Sequence, residues 1–385
     1  MSLESQIETK ARKLGLGQIG IIRPQAMEGY IRRLFERMHR IPNGEKLHQG
    51  FLELFDIRQA YPWAKSVVIA AVDNTRFYLS RAARKHYGKL FLTDNRFNSS
   101  SPGRGMILGL TTFMEGLGLK VYWNDHPGVT GLRWAAQEAG LGIIRRNNFF
   151  FTPEAGSYVS LTGWVTDADM ELIAELKDEP CPAGCTSCFD ACPTGSLSEP
   201  FTMNMATCVS TRNSYTDSTV IDDERFNTLN GSWLYGCDQC QDSCPFNQAL
   251  ETSEDLSFPG LDDLEPYLLP EVIASLKYEA INQILRPKFF YIKSESLWRW
   301  KLNAINVLVN TKSSESIKNL KKLLNDPFDI VRRRARNALD QLFASHDWWN
   351  PNYFKYSPPF IAESETKEPS AQSAAAPTDD NSSDG

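Results

Sequence analysis

Nowhere does this 385-residue sequence reach the ~18 consecutive apolar residues that a membrane-crossing helix requires. Its start, Met1-Ser-Leu-Glu-Ser-Gln-Ile-Glu8, lacks the basic stretch and apolar run of a secretory leader. Both absences lead us to expect a cytoplasmic protein with no membrane attachment. Cysteine is absent before Cys181 and after Cys244. A chain this long builds a core without staples, and cytoplasmic thiols stay reduced, so disulfides are not expected to organise the fold. An excess of positive charge is missing too: 41 Lys and Arg stand against 47 Asp and Glu, which argues against attraction of the whole molecule to nucleic acid. The charge is unevenly spread, however. From Glu363 onward the only cation is Lys367, whereas residues 286–343 are strongly basic.

What is present is concentrated in one stretch. The pattern C-x₂-C-x₃-C-P occurs twice, as Cys185-Thr-Ser-Cys188-Phe-Asp-Ala-Cys192-Pro193 and as Cys237-Asp-Gln-Cys240-Gln-Asp-Ser-Cys244-Pro245. Cys181 precedes the first run and Cys208 lies between the two, making eight thiols, or two sets of four. A bicluster ferredoxin sends three cysteines of each run to one [4Fe–4S] cube and the fourth, or its counterpart, to the other. That logic groups Cys181, Cys185, Cys188 and Cys244 on one cluster, and Cys192, Cys208, Cys237 and Cys240 on the other. Two zinc ions would also use eight thiolates, but zinc favours separate C-x₂-C knuckles. Two [4Fe–4S] clusters are therefore the expected cofactors.

Around this stretch the chain divides into an α/β domain (1–175), a ferredoxin-like domain (176–255), an all-α segment (265–345) and a disordered acidic tail (360–385). Leu3, Ile7, Ala11 and Leu14 recur at helical spacing before Gly15, a suitable C′ residue. Gln18–Ile22 reads as a short strand. Residues 27–40 read as an amphipathic, arginine-bearing helix, either solvated or anion-binding. Residues 63–72, apolar and β-branched, predict a fully buried strand. A buried helix over 106–116 and a strand over 119–123 lead to Asn124-Asp125-His126-Pro127-Gly128, where polar residues follow a strand end, the usual ligand position in α/β sheets. A helix over 129–138 and strand-like residues 147–163 complete the domain. Near the C-terminus, Leu302, Ile305 and Leu308, then Ile317, Leu320 and Leu324, then Val331, Ala335, Ala338 and Leu342 mark short helices. The segment Asp326 to Leu339 resembles a HEAT repeat, whose apolar stripe must dock on a neighbour. Arg332, Arg333, Arg334 and Arg336 are expected on its exposed face as contacts to nucleic-acid phosphates.

Paired clusters move single electrons, and the large α/β domain ahead of them argues that the electrons are used within this chain. Several motifs agree: Ala139-Gly-Leu-Gly142, Pro153-Glu-Ala-Gly-Ser157 with Thr166-Asp167, Ala191-Cys-Pro-Thr-Gly195, and Tyr235-Gly-Cys-Asp-Gln-Cys-Gln241 with Cys244-Pro-Phe-Asn247. In these the sequence resembles the epoxyqueuosine reductases, relatives of the corrinoid-dependent reductive dehalogenases, from about residue 60 to 345. The resemblance implies a nitroreductase-like domain that binds cobalamin with its lower base detached, followed by the bicluster domain and a HEAT-like end. It implies that the clusters reduce the corrinoid one electron at a time and that the substrate is epoxyqueuosine in tRNA, converted to queuosine. It implies a monomer served by a reduced flavodoxin or ferredoxin. The family's proton donor, an aspartate shortly before a proline, corresponds to Asp125; a carboxyl beside a desolvated cofactor would have a raised pKa and so donate a proton near neutrality. Capping the following helix is the competing role for Asp125. Ser210 and Asp238 correspond to cofactor-binding positions, as does Asp125.

Tyr122 is a second candidate acid, and His126 a candidate cobalt ligand, although the D-x-H-x-x-G pattern of other corrinoid proteins is absent. The sequence departs from the family in five places. Asp125 sits one residue further from Ala139 than the family pattern has it, and the arginine-, tyrosine- and histidine-bearing pattern near residues 80–100 is barely recognisable. The first cysteine spacing is one residue longer than the family's, which a bulge at Gly184 would absorb. Gly142-Ile-Ile-Arg-Arg-Asn147 replaces Gly-Trp-Ile-Gly-Lys-Asn, and Ser210-Thr-Arg-Asn-Ser-Tyr215 replaces a Thr-Ile-Glu stretch. Two competing readings are a corrinoid reductase of a small molecule such as an organohalide, and a non-catalytic iron–sulfur tRNA-binding protein. The missing leader weighs against the first and the eight retained thiols against the second.

Overall fold

Residues 66–73 are apolar at nearly every position, a pattern that suits a strand covered on both faces. In the computed structural model they form the strand at the heart of the sheet. The structure describes residues 1–41, 45, 56–78, 81–93, 101–124, 128–175, 179–214, 224–250, 256–257, 260–311 and 314–344. Asp125, His126 and the tail over 360–385 lie outside the described residues.

The described strands are β1 (Gln18–Ile22), β2 (Ser66–Asp73), β3 (Phe77–Tyr78), β4 (Val121–Trp123), β5 (Ile143–Ile144), β6 (Phe150–Phe151), β7 (Val159–Thr166) and β8 (Leu256–Ser257). Four of them make one sheet in the order β1-β2-β7-β4. Every pairing in it is antiparallel, with Ile69 opposite both Gly20 and Gly163. The expectation drawn from strand carboxyl ends therefore does not transfer: neighbouring strands run in opposite directions and share no such edge. The stretch over 147–163 also divides, into β6 and the first part of β7, because a turn at 152–157 intervenes.

Helices cover both sides of this sheet. On one side Val68 and Ala70 of β2 pack with Trp164 of β7 against α1 (Leu3–Leu14), through Ile7 and Ala11. On the other side Val67, Ile69 and Ala71 join Val165 in a second core. Here α1 shows why the sequence stops where it does. Ser2 caps its first turn by accepting from Ser5 N at 3.3 Å, and Gly15, at φ +83°, closes its last turn on the carbonyls of Ala11 and Arg12. Next along the chain comes α2 (Glu28–Arg40). The first side of the sheet is completed by α3 (Pro102–Gly116), with Ile107, Leu110 and Met114. The second side is covered by α4 (Leu132–Glu138), with Ala135 and Ala136. The N-cap of α4 is Gly131, which has no side chain to cap with; the capping role weighed for Asp125 falls on a residue outside those described. After α4 the Ala139-Gly-Leu-Gly142 turn is required by close approach. A Cβ at Gly140 would lie 2.0 Å from the Ala174 carbonyl oxygen, and one at Gly142 would lie 1.9 Å from that of Phe151.

Single helical turns carry the cysteine segment: α5 (Ser187–Asp190), α6 (Val209–Ser214) and α7 (Gln239–Asp242). The C-terminal part is made of α8 (Trp298–Thr311), α9 (Ser314–Leu323) and α10 (Asp329–Ala344). Their apolar stripes, including Leu302, Ile305, Leu320, Val331 and Ala335, share one core with Tyr87, Leu234 and Tyr235. The Tyr235 ring stacks on Trp300 at 5.4 Å and 12°. The stripe thus docks on the chain before it, as its inability to bury itself requires. One expectation fails here. Arg334 is buried, donating from Nε to Asn306 Oδ1 at 2.9 Å, and is not part of an exposed arginine face. At about 100° per residue Arg334 sits roughly 200° round from Arg332, beside the Val331–Ala338 stripe.

Candidate metal centre

Two short helical turns, α5 and α7, each present a cysteine, Cys188 and Cys240, and each is followed by a Cys-Pro pair that turns the chain away. In the first run Gly184 lies in the left-handed region at φ +75° with open space around it. There Cys185 N bonds the Pro182 carbonyl at 3.2 Å.

The thiols fall into two neighbourhoods. The Cys188 thiol is held up, to about 11, by burial and by the nearby sulfurs of Cys244, Cys181 and Cys185. Burial also raises Cys237 and Cys240, and each feels Cys208 and Cys192. A narrow cleft is lined by Cys181, Cys185, Cys188 and Cys244 together with Arg145 and Phe246. Backbone amides point at several of the sulfurs. Phe246 and Asn247 donate to Cys244, and Ser210 and Thr211 donate to Cys208, each favouring the thiolate. Soft donors gathered in fours, with amides aimed at them and burial that would keep bare thiols protonated, suit a positively charged iron–sulfur core. Among the described residues no three His, Cys, Asp or Glu side chains converge as they would around one ion. A cube spreads its four ligands more widely than a single ion does.

A buried polar network ties this centre to the α/β part. Asp238, between Cys237 and Cys240, accepts from Lys89 N and from Gln241 Nε2, each at 2.7 Å. Burial pushes its carboxyl up to about 7. Gln241 accepts from Ser157 Oγ at 2.8 Å, and Ser157 also bonds Asn247, which explains why the Pro153–Ser157 and Cys244–Asn247 motifs occur together. Lys89 Nζ reaches both Tyr158 Oη and Asp242 Oδ1 at 3.0 Å. From the β5–β6 hairpin, Arg146 Nη1 donates to the Cys185 carbonyl at 3.0 Å and Asn147 Nδ2 to that of Cys240 at 3.2 Å. Arg37 of α2 donates to Asn148 Oδ1 at 3.2 Å and to the Phe201 carbonyl, while Arg40 pairs with Glu199. These two arginines therefore join α2 to the chain between Cys192 and Cys208.

The expected site residues are not all brought together. Ser210 stands half-buried in α6, two residues past Cys208, and Asp238 lies inside the network just described. The third member of the expected set, Asp125, lies outside the described residues, as does His126. Tyr122 is 42% exposed and its ring lies tilted against Tyr61 at 5.1 Å, on the edge strand β4. Of the arginines on α10, Arg332 and Arg333 pair with Asp329 and Arg336 is exposed. Sequence reasoning missed Lys89, Asn147 and Arg145. The last two lie in a segment already marked by its departure from the family pattern.

Residues 181–247 match the family described as a 4Fe-4S double cluster binding domain. Among characterised proteins, the epoxyqueuosine reductase of Bacillus subtilis is 32% identical over 216 residues, 54% of this chain and 53% of its own. The match thus spans about half the length of that relative. The epoxyqueuosine reductase of Gloeobacter violaceus is 30% identical over 266 residues, 64% of this chain and 77% of its own. A crystal structure of an epoxyqueuosine reductase with an epoxyqueuosine-modified tRNA-Tyr stem loop has the same fold. Its TM-score is 0.71 at 24% identity, over 88% of this chain and 90% of that one. Among the described residues no helix is long and apolar enough to cross a membrane.

Proposed function

Since the chain belongs to the epoxyqueuosine reductase family, we propose that it is an iron–sulfur oxidoreductase that reduces epoxyqueuosine in tRNA to queuosine. The observation that carries this reading is the sorting of eight thiols into two fours inside a double-cluster segment that is bolted to an α/β sheet. Removing the epoxide oxygen as water takes two electrons and two protons per substrate. Two one-electron clusters in series suit that demand.

In this reading Cys181, Cys185, Cys188 and Cys244 hold one [4Fe–4S] cluster and Cys192, Cys208, Cys237 and Cys240 the other. Cobalamin, bound base-off in a nitroreductase-like domain over 1–175, would supply a strong reductant to the substrate. Ser210 and Asp238 belong near it by their correspondence to the family's cofactor-binding positions. Both Asp238 oxygens are already engaged by Lys89 and Gln241, so this residue acts by bracing the Cys237–Cys240 turn. Asp125 is the proton donor by the same correspondence. The domain over 176–255 carries electrons from a reduced flavodoxin or ferredoxin. The HEAT-like segment over 265–345 meets RNA phosphates through Arg332, Arg333 and Arg336. The protein acts as a cytoplasmic monomer.

The test is a gene deletion followed by mass spectrometry of tRNA nucleosides, in a host without a second reductase. Epoxyqueuosine should accumulate and queuosine disappear, and both should revert on complementation. Unchanged queuosine would overturn the substrate assignment. Purified, iron-loaded protein that takes up no corrinoid would overturn the cobalamin assignment.

A further inference from the structure

We infer that Arg145 tunes the electron transfer of this chain by raising the reduction potential of the cluster held by Cys181, Cys185, Cys188 and Cys244. This rests on the iron–sulfur reading above, and its test does not involve the substrate.

Arg145 begins the turn of the β5–β6 hairpin. Its backbone is fixed there, because Arg145 N donates to the Phe149 carbonyl at 2.9 Å and its own carbonyl accepts from Asn148 N at 2.8 Å. Its side chain is buried, only 2% exposed. The guanidinium lies 3.3 Å from the centre of the Phe246 ring and 5.1 Å from that of Phe151. Phe246 follows Cys244 by two residues, and Arg145 lines the same cleft as the four thiols. The other set has a carboxyl in its turn: Asp238 stands between Cys237 and Cys240 and accepts from Lys89 N and Gln241 Nε2. The two thiol sets therefore sit in different electrostatic surroundings.

The physical consequence follows from charge. A cube with four thiolates becomes one unit more negative on taking up an electron, and net charge and neighbouring dipoles set its potential. A cation held in the low-dielectric interior interacts with that extra charge much more strongly than one in water. Burying a guanidinium among rings is costly unless an anion compensates it. Four thiolates around a [4Fe–4S] core make an assembly of net negative charge, which supplies such compensation on this side. Packing alone would be served by an apolar side chain. The sequence has an arginine where the family it resembles has a glycine, so this cation is a property of this chain.

The experiment is a redox titration of the full-length, cluster-loaded protein, followed by optical and electron paramagnetic resonance spectra, for wild type, Arg145→Gln, Arg145→Met and Arg145→Lys. With the charge gone, one of the two cluster transitions should move to more negative potential. Its ratio of reduced to oxidised form at fixed potential should fall about tenfold, which is about 59 mV for one electron. The other transition should stay in place, and Arg145→Lys should keep most of the wild-type value. Unmoved transitions in an uncharged variant, or equal shifts with Lys and Gln, would overturn the inference. Loss of iron from both uncharged variants would overturn it in favour of a structural role. Wild-type protein that holds no cluster would instead overturn the iron–sulfur reading itself.

Discussion

Ser157 and Asn247 are bonded reciprocally: Ser157 N donates to Asn247 Oδ1 at 2.9 Å, and Asn247 Nδ2 donates to Ser157 Oγ at 2.7 Å. They stand ninety positions apart in the chain, one before the main strand β7 and the other just beyond the last cysteine. Asn247 Nδ2 also reaches the Gln241 carbonyl at 2.8 Å. This side chain is the bolt between sheet and cysteine segment. Replacing it by leucine strands buried donors and acceptors, each of which costs about 1–3 kcal/mol. Asn247→Leu should therefore lower the unfolding free energy by about 2–4 kcal/mol in denaturant titrations. It should also speed the loss of iron to a chelator. Unchanged stability would mean that the network is replaced by water.

The crossed partition of thiols proposed above predicts a crossed pattern of iron loss. Cys244→Ala removes a residue of the second run yet should empty the site of the first, leaving about four of about eight iron atoms. Cys208→Ala should empty the other site. Anaerobic iron and sulfide analysis reads this directly, and in the double variant both sites should be lost. If Cys244→Ala and Cys240→Ala empty the same site, the grouping is wrong.

In the helical part, Lys301 Nζ meets Asp326 Oδ2 at 2.8 Å, with side chains only 9% and 1% exposed. Tyr278 Oη donates to the other carboxylate oxygen at 2.7 Å. Breaking a buried pair leaves an uncompensated charge and typically costs about 3–5 kcal/mol. Lys301→Met should destabilise the chain by about that much in thermal or urea unfolding. The double change Lys301→Met with Asp326→Leu should recover part of the loss. A single variant as stable as wild type would show that water reaches the pair.

His86 supplies a pH dependence. Burial holds its imidazole below the ordinary value near 6.5, against the opposing effect of its bond to the Ser232 carbonyl at 2.7 Å. A depressed folded-state pKa means that the unfolded chain binds the proton first. The stability linked to His86 is therefore present above pH 6.5 and is lost as pH falls through the folded-state value. His86→Asn keeps a donor for Ser232 but cannot titrate. Between pH 7.5 and 5.5 its unfolding free energy should fall less than that of wild type, by roughly 1 kcal/mol or less. Parallel pH profiles would remove His86 as a source of acid lability.

The α2 arginines and those of α10 show how far pattern alone reaches. Periodicity located both helices, but it treated Arg332, Arg333, Arg334 and Arg336 as one exposed group. Tracking each residue around the helix axis would have separated Arg334. The bridges from Arg37 and Arg40 to residues 199–201 had no signal in the sequence, since a side chain's partner more than a hundred positions away leaves no local mark.

By itself the sequence determined what depends on short range. The cysteine and proline spacing marks the segment that matches a double-cluster domain, the apolar run over 66–73 makes a strand buried on both faces, and Gly15 ends α1. Only the tertiary structure decided that the sheet is antiparallel, that Arg334 is buried, and that Lys89, Asn147 and Arg145 surround the thiol sets. The reason is physical: ligand spacing and helical period are geometric properties of consecutive residues. The electrostatic surroundings of a buried centre, by contrast, are summed over side chains that only the packed chain brings near it.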